Sequence, residues 1–471
     1  MNKLSKIFPI IVIILCLVFA LVACVPTGDE TPKDDNEIVD EGGNDNSSNN
    51  GGGNGNLKPS PVGPLTPAKN VFVFEKIAGA EEYALKSVNI VNKEVVIPSL
   101  YNDKPVTAIL AQAFYSNAVV EEVSIPDTIT TIGARAFSLC VNLKKVSVSA
   151  YSELSEIGEK AFFACDRLEE IYLPQTLVKV GAEAFGGCVD LVALNFPNSL
   201  YEVGEGAFHC GWLDAITEDG VVYAGNVAYA FRYTATEPIA QDVTIKDGVT
   251  SIAGKAFYGE EWISSISIPS SVTSIGSLAL NNTQRLQNIS VSEDNAVYSS
   301  LGNSLVEKAT DTLLASSLNT IVSQGIKVIG EEAFAYSNLT EITLPESVTS
   351  IGKGAFKQSK IVSVNIPSEV TALEEEIFLN AEFLASITIG ANLTSIKTSA
   401  FNYCLSLKEV IIENDSVLED LDTAYACSGL TARAEVVYVL SSLEGQADRL
   451  IADFDEAPSD KAGYKKYVLE K

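Results

Sequence analysis

The dipeptide Ala-Phe, or a close substitute, recurs with its second residue at Phe114, Phe137, Phe162, Phe185, Phe208, Phe257, Leu280, Phe334, Phe356, Phe378 and Phe401, and the intervals within runs are 22, 23 or 25 residues. A fuller frame surrounds it: Val-x-x-Ile-Gly-x-x-Ala-Phe, then a short spacer to an apolar residue, then Ile-x-Ile-Pro. Val348 to Phe356 followed by Ile361, Val364, Ile366 and Pro367 is one complete copy. Self-similarity at a fixed period marks a stacked architecture. One unit cannot enclose its own apolar residues, so the units must stack, Phe over Phe and Ile over Ile, into a continuous core.

Each position in the frame has a physical role. The Ile-x-Ile piece alternates with period 2, as a short strand with one buried face does. Pro98, Pro126, Pro174, Pro197, Pro269, Pro345 and Pro367 follow seven of these strands, and a residue without an N–H stops the ladder there. Gly133, Gly158, Gly181, Gly204, Gly276, Gly330 and Gly352 follow the isoleucine or valine and are expected to supply the backbone freedom a corner needs. The residue between the two apolar strand positions faces outward. That gives the candidate ligand-binding row Ser124, Ser147, Tyr172, Asn195, Ser267, Ser290, Thr343, Asn365 and Thr388. A neutral row of hydroxyls and amides suits an extended extracellular protein or glycan better than a deep small-molecule pocket; solubility alone is the alternative. Glu122, Glu170, Glu341 and Glu409 beside the row favour a partner with some positive charge.

The units resemble the leucine-rich repeats of BspA-type bacterial surface proteins, whose pattern of Ala-Phe, Cys, Leu, Ile-x-Ile-Pro and Val-x-x-Ile-Gly is matched from about Val95 to Ile412. Leu280 in place of Phe, Ile377 in place of Ala, and the displaced glycine of "SIAGKAF" depart from the pattern locally. The resemblance implies a β-rich solenoid of leucine-rich repeats of about 22–25 residues, with short parallel strands, β-hairpin insertions and terminal caps. It also implies adhesion to host matrix protein, host cells or neighbouring bacteria.

Outside the repeats, Lys3 and Lys6 precede the apolar run "IFPIIVIILCLVFALVA", the layout of a cleaved export signal. "LVAC", Leu21 to Cys24, resembles a bacterial lipoprotein signal and makes Cys24 the candidate lipidation site, the sole membrane attachment being through that lipid; an ordinary secretory signal is the alternative. The expected organisation is a signal peptide over 1–23, a lipid-anchored Asn/Gly/Pro-rich tether over 24–68, an N-terminal cap over 69–109, the solenoid over 110–429 and a C-terminal cap over 430–471. The tether lacks the apolar density that would offset the entropy of ordering it.

Ile157 to Pro174, "IGEKAFFACDRLEEIYLP", holds enough polar chemistry to suggest a reactive site, yet Ile329 to Pro345 repeats the frame without the cysteine or the arginine. Cys140, Cys165, Cys188 and Cys404 each lie three residues after their Phe and Cys210 two after; other units place Asn117, Thr283, Ser359 or Ala381 in that slot. A slot that accepts small residues reads as buried structural thiols, with disulfides between neighbouring coils, or metal binding, as alternatives. The redox state of Cys140, Cys165 and Cys188 is open at this level. His209 is the sole histidine, so a Ser-His-Asp or Cys-His centre is a poor match. Zinc on Cys188, His209 and Cys210 is weighed against a structural role and set second. The acidic pairs Glu331–Glu332 and Glu374–Glu376 read as solvated corners. No phosphate-binding glycine motif is present. No catalytic residue, metal or cofactor is assigned, and the chain reads as a binder. The balance of 32 Lys+Arg against 61 Asp+Glu, a formal charge of −29, excludes nucleic acid as a natural partner, because phosphate backbones are bound by clustered cations.

Two insertions, near 214–246 and 293–324, interrupt the rhythm, and alternating apolar residues around Gly225-Asn226 and Gly302-Asn303 predict β-hairpins. Their structural reading is an island that patches the solenoid. Their functional reading is a binding loop anchored by Tyr223, Tyr229, Phe231 and Tyr233. Together these features describe a lipid-anchored cell-surface binding protein, with a non-catalytic structural or shielding role in the envelope as the alternative and an enzyme site grafted onto an insert as a third.

Overall fold

The computed structural model describes residues 70–234, 239–412, 436–440, 454–462 and 464–469. The expected signal segment, Cys24, the expected tether, Cys427 and much of the expected closing cap lie outside them. The described chain winds as a β-solenoid of about 14 turns with almost no helix.

A typical turn has three sides. Thr131–Ile132 is a two-residue strand, Ala134 to Leu139 is a tight segment without strand structure, and Lys145–Ser147 is the outward-facing strand of the Ile-x-Ile type. Both strand sides run parallel in strict register from turn to turn. Ile109 pairs Ile132, Ile132 pairs Ile157, Ile157 pairs Val180 and Val180 pairs Val203 on one side. Val95 pairs Val123, Val123 pairs Val146 and Val146 pairs Ile171 on the other. Equivalent residues therefore lie over one another and the apolar positions turn inward together. The first of these two strand sides goes beyond the sequence reading, since a two-residue strand is too short to display alternation.

The frame glycines act differently from the sequence expectation. Gly133, Gly158, Gly181, Gly204, Gly276, Gly330 and Gly352 do not adopt left-handed backbone. They are glycine because the preceding turn is too close: a Cβ on Gly181 would lie 2.5 Å from the Glu159 nitrogen, and one on Gly204 would lie 2.3 Å from that of Ala182. The left-handed positions fall two residues before and two after the frame Phe, except after Phe208, where Cys210 is extended with φ of −139°, and ordinary L-residues occupy most of them. Arg135 and Leu139 have φ of 56° and 63°, Lys160 and Ala164 have 55°, and Glu376 and Asn380 have 57°. Each costs a non-glycine residue roughly 1–2 kcal/mol. The compensation is a ladder: Arg135 N–H donates to Glu159 O at 2.8 Å, Phe137 N–H to Ala161 O at 2.7 Å and Leu139 N–H to Phe163 O at 2.8 Å. Three N–H groups per turn reach the next turn without forming a strand.

Inside, the Phe rings stack. Phe114, Phe137, Phe162, Phe185 and Phe208 follow one another at centroid spacings of 4.5, 5.0, 5.2 and 5.7 Å. Phe334, Phe356, Phe378 and Phe401 form a second stack at 5.3, 5.4 and 5.3 Å. Between the stacks lie the insertions, and each is built into the solenoid wall. Gly220–Ala224 and Val227–Arg232 form an antiparallel hairpin, as the sequence predicts, and the second strand pairs parallel with the repeat strand Ser251–Ile252. Tyr298–Leu301, Ser304–Glu307 and Thr312–Ala315 make an antiparallel meander whose last strand pairs parallel with Val328–Ile329. The apolar core divides at this second insertion, with Leu305 and Ala315 in one cluster and Val306 and Leu313 in the next.

Antiparallel strands close both ends. Val71–Lys76 pairs with Tyr83–Asn89, which joins the first parallel side through Lys104–Ile109. At the other end Val436–Leu440 continues the strand face from Glu409–Ile412 and is covered by Tyr464–Leu469 and Phe454–Ala457. Such elements protect strand edges that would otherwise template association. Among the described residues no helix is long and apolar enough to cross a membrane.

Candidate binding surface

The outward strand row is accessible. Ser147, Tyr172, Asn195, Ser290, Thr343 and Asn365 are exposed, and Ser124, Ser267 and Thr388 are half-buried. Direct register brings neighbours together, with Ser124 beside Ser147, Ser267 beside Ser290 and Asn365 beside Thr388. The row is not one strip. It falls into three sheets: Glu94–Val96 to Glu170–Ile171, Gln241–Thr244 to Asn288–Val291, and the sheet that begins at Ser363–Asn365. Asn195 and Thr343 sit where strand pairing lapses. The Asn195 side chain itself substitutes for the missing ladder, its Nδ2 donating to Leu173 O at 2.9 Å and its Oδ1 accepting from Leu173 N–H at 3.3 Å. Asn195 is thus committed to the scaffold.

The acidic flank is also partly spent internally. Lys145 pairs Glu170 at 2.8 Å and Lys461 pairs Glu409 at 2.7 Å. Nearby, Lys93 and Lys144 both bond Glu121 and hold its carboxyl down to about 2. Two of the four glutamates expected to attract a cationic partner are already neutralised, so the charge selectivity of the face is weaker than sequence alone suggests.

Two of the four expected aromatic anchors, Tyr229 and Phe231, are corrected by burial, whereas Tyr223 and Tyr233 are half-buried. Tyr229 and Phe231 belong to the core. The Tyr229 hydroxyl accepts the Phe208 N–H at 2.8 Å, and Phe231 packs on Phe257 at 6.2 Å. Tyr223 lies under the Lys246 ammonium at 3.9 Å and is half-buried. The Tyr233 hydroxyl accepts the Ile239 N–H at 3.2 Å. The alternation that predicted the hairpin could not tell an inward aromatic face from an outward one, because a strand filling the place of a repeat turns its larger side chains to the core. Exposed aromatics lie elsewhere and were missed. Tyr151 is 87% exposed and Tyr403 64%. Tyr151 occupies the extra length of the 25-residue interval between Phe137 and Phe162, the signal that could have found it.

The cysteine slot is structural. Cys140, Cys165, Cys188 and Cys210 are buried, unbridged thiols. The Sγ atoms of Cys140, Cys165 and Cys188 each donate at 3.1 Å to the carbonyl of a Phe in the preceding turn, and Cys404 does so at 3.2 Å. Burial pushes the Cys140 thiol up to about 12 and raises Cys165 and Cys188 as well, so the nucleophilic and metal-binding thiolate is suppressed. Among the described residues no three His, Cys, Asp or Glu side chains are grouped to hold a metal ion. Cys165→Ala is expected to cost about 1 kcal/mol, the net worth of one ordinary hydrogen bond, because Phe137 O keeps its bond from Cys140 N–H at 3.1 Å. Urea denaturation followed by circular dichroism checks this, and a loss several times larger would show that the slot is held by more than that bond.

Stacked turns of 22 to 25 residues, with two parallel strand sides and a ring-stacked core, define a leucine-rich-repeat solenoid. A family model for the BspA type leucine rich repeat region matches residues 81–222, 227–321 and 311–428 in 6 copies, and the chain belongs to that family. Among solved structures it is similar to a leucine rich cell surface protein from Faecalibacterium prausnitzii, with 26% identity over 78% of this chain and 93% of that one and a TM-score of 0.47. It is also similar to the pneumococcal vaccine antigen PcpA, with 20% identity over 73% of this chain and 85% of that one and a TM-score of 0.38. A leucine-rich repeat protein from Bacteroides ovatus shares 21% identity over 76% of this chain and 97% of that one, with a TM-score of 0.27. No curated protein gives a significant match.

Proposed function

We propose that the chain is a bacterial surface protein, lipid-anchored at Cys24, that binds an extracellular protein or glycan through its strand face and serves in adhesion to host matrix, host cells or neighbouring bacteria. The observation that carries this reading is the register-aligned exposure of small hydroxyls and amides, exemplified by Ser124 beside Ser147 and Asn365 beside Thr388. Such a face offers many weak hydrogen bonds over a long surface, which fits an extended partner. Membership of a BspA type repeat family supports it.

A second reading, a shielding or spacing protein of the envelope, is favoured by the internal use of Asn195, Glu170 and Glu409. The compact unit from Leu65 to Lys471, titrated at physiological salt against immobilised matrix proteins, glycans and whole cells, separates the two. Saturable binding is expected, and simultaneous change of Ser147, Tyr172 and Asn365 to Glu is expected to weaken it by at least about tenfold with the melting temperature unchanged, by breaking hydrogen bonds and adding charge. No saturable binding to any of these would favour the envelope role. Binding untouched by the triple change would move the site off the strand face. The anchor is tested separately: metabolic labelling with a fatty-acid analogue is expected to be lost in Cys24→Ala, and label that persists would remove Cys24 from that role.

A further inference from the structure

The ladder on the Phe side of the solenoid runs unbroken from the Phe114 turn to the Phe208 turn, where Gly187 N–H still reaches His209 O at 2.9 Å. It resumes at the Phe257 turn, whose Lys255 and Phe257 donate to Ser277 O and Ala279 O. Between the two turns the chain detours through the first hairpin, and the rung that would join them is missing. On one wall the Phe208 N–H is capped by the Tyr229 hydroxyl. On the other, the carbonyls of Gly254, Ala256 and Tyr258 occupy the positions that accept from the preceding turn in complete rungs, and among the described residues they receive no protein donor.

The missing rung leaves a cleft of about 320 Å³. Its base is Tyr229 and Phe231, one wall carries His209, and the other carries Tyr258 and Glu260. Lys255 and Glu205 close one margin as a 2.9 Å ion pair, and the Arg232 guanidinium is tied to Leu213 O at 2.9 Å. Glu260 occupies the slot that holds cysteine in other turns. Its carboxyl is partly buried and, among the described residues, makes no hydrogen bond or ion pair within the protein, and burial alone raises it above the usual carboxylate range.

This lining selects a ligand class. Glu205 and Glu260 balance Lys255 and Arg232, so the cleft has no net charge with which to hold an ion. Its uncommitted groups are of both kinds: the three carbonyls and Glu260 accept, while the Gly206 N–H and the Arg232 N–H groups not bonded to Leu213 donate, beside the His209 imidazole. Hydroxyl groups, each a donor and an acceptor, match that set, and the aromatic base and wall suit the apolar face of a ring. We propose that the cleft is a saccharide subsite that takes one neutral sugar ring, held by Glu260, the open carbonyls of Ala256 and Tyr258, and His209, against the Tyr258 ring. The subsite lies off the strand face and stands independently of the adhesion reading.

The purified full chain titrated with glucose, galactose, mannose, N-acetylglucosamine and N-acetylgalactosamine, followed by saturation-transfer NMR and calorimetry, tests this. At least one sugar is expected to bind with a Kd of roughly 1 mM, as suits a small open site. Glu260→Leu and Tyr258→Ala are each expected to weaken that sugar by at least about tenfold in protein that stays folded by circular dichroism, the Tyr258 change also giving up the hydroxyl's bonds to Tyr336 and Asn282, while the strand-face triple variant leaves it intact. The proposal is overturned if no sugar in the panel saturates, if binding survives both folded cleft variants, or if N-acetyl-lysine methylamide or acetate binds the cleft in preference to every sugar.

Discussion

Phe162→Ala is expected to destabilise the solenoid by about 3 to 5 kcal/mol, the range for emptying a fully buried aromatic site. The Phe162 ring has no exposed surface and lies nearly parallel between Phe137 at 5.0 Å and Phe185 at 5.2 Å. Collapse into the vacated space is resisted by the ladder, in which Phe162 N–H donates to Ala184 O at 2.8 Å and Phe137 N–H to Ala161 O at 2.7 Å. The turns cannot close together without giving up those bonds, so the cost sits toward the upper part of the range. Trp212 packs against the first core cluster, and tryptophan emission under urea reports that cluster. The tryptophan transition is expected to move to lower urea in Phe162→Ala. A change below about 1 kcal/mol would mean that the turns do close over the cavity, as sites that relax fully lose little.

How far the sequence reveals this molecule depends on what a periodic pattern can encode. The position of every Phe in the repeat frame, the inward Ile and Val of the long strands and the two hairpin turns at Gly225 and Gly302 were legible, because each depends on local spacing and on the need to bury apolar surface. What was hidden depends on distances between turns. Gly181 reads as a flexible corner until the Glu159 backbone is seen 2.5 Å from its missing Cβ. Leu139 and Arg135 look like ordinary helix or loop residues, and nothing local signals their left-handed φ, which inter-turn hydrogen bonds impose. The candidate surface shows the same division. Exposure of Ser147 and Asn365 followed from alternation, whereas the inward turn of Tyr229 and Phe231, the internal bonding of Asn195 and the opening beside Glu260 arise where an insertion replaces a rung. Glu260 in a cysteine slot was the available signal for that opening, since a carboxyl is a poor substitute for a buried thiol unless space and water reach it.

Gly181→Ala is the sharper test of how the turns approach. At an unstrained position in open space, Gly→Ala stabilises a protein by about 0.4–1 kcal/mol through the unfolded chain, and Gly181 is not left-handed. Flexibility as its role would therefore predict a neutral or favourable change. Close approach predicts the reverse, because the new Cβ would meet Glu159 N at 2.5 Å, Gly158 C at 2.7 Å and Glu159 Cα at 2.9 Å, all backbone atoms of a turn held by its own ladder. Relief requires the two turns to separate, which stretches the bond from Gly181 N–H to Ile157 O, now 2.7 Å. The expected cost is about 3 kcal/mol, the upper part of the usual range for overpacking. Gly187→Ala is the matched control: Gly187 has φ of 79°, its added Cβ would meet nothing nearer than 3.4 Å, and Leu139 and Ala164 already hold left-handed backbone at the same place in their turns. Its expected cost is about 1 kcal/mol, the lower part of the range for left-handed backbone at an L-residue. Urea midpoints measured for both variants decide the matter, and a Gly187→Ala loss equal to or greater than that of Gly181→Ala would return conformational freedom to first place.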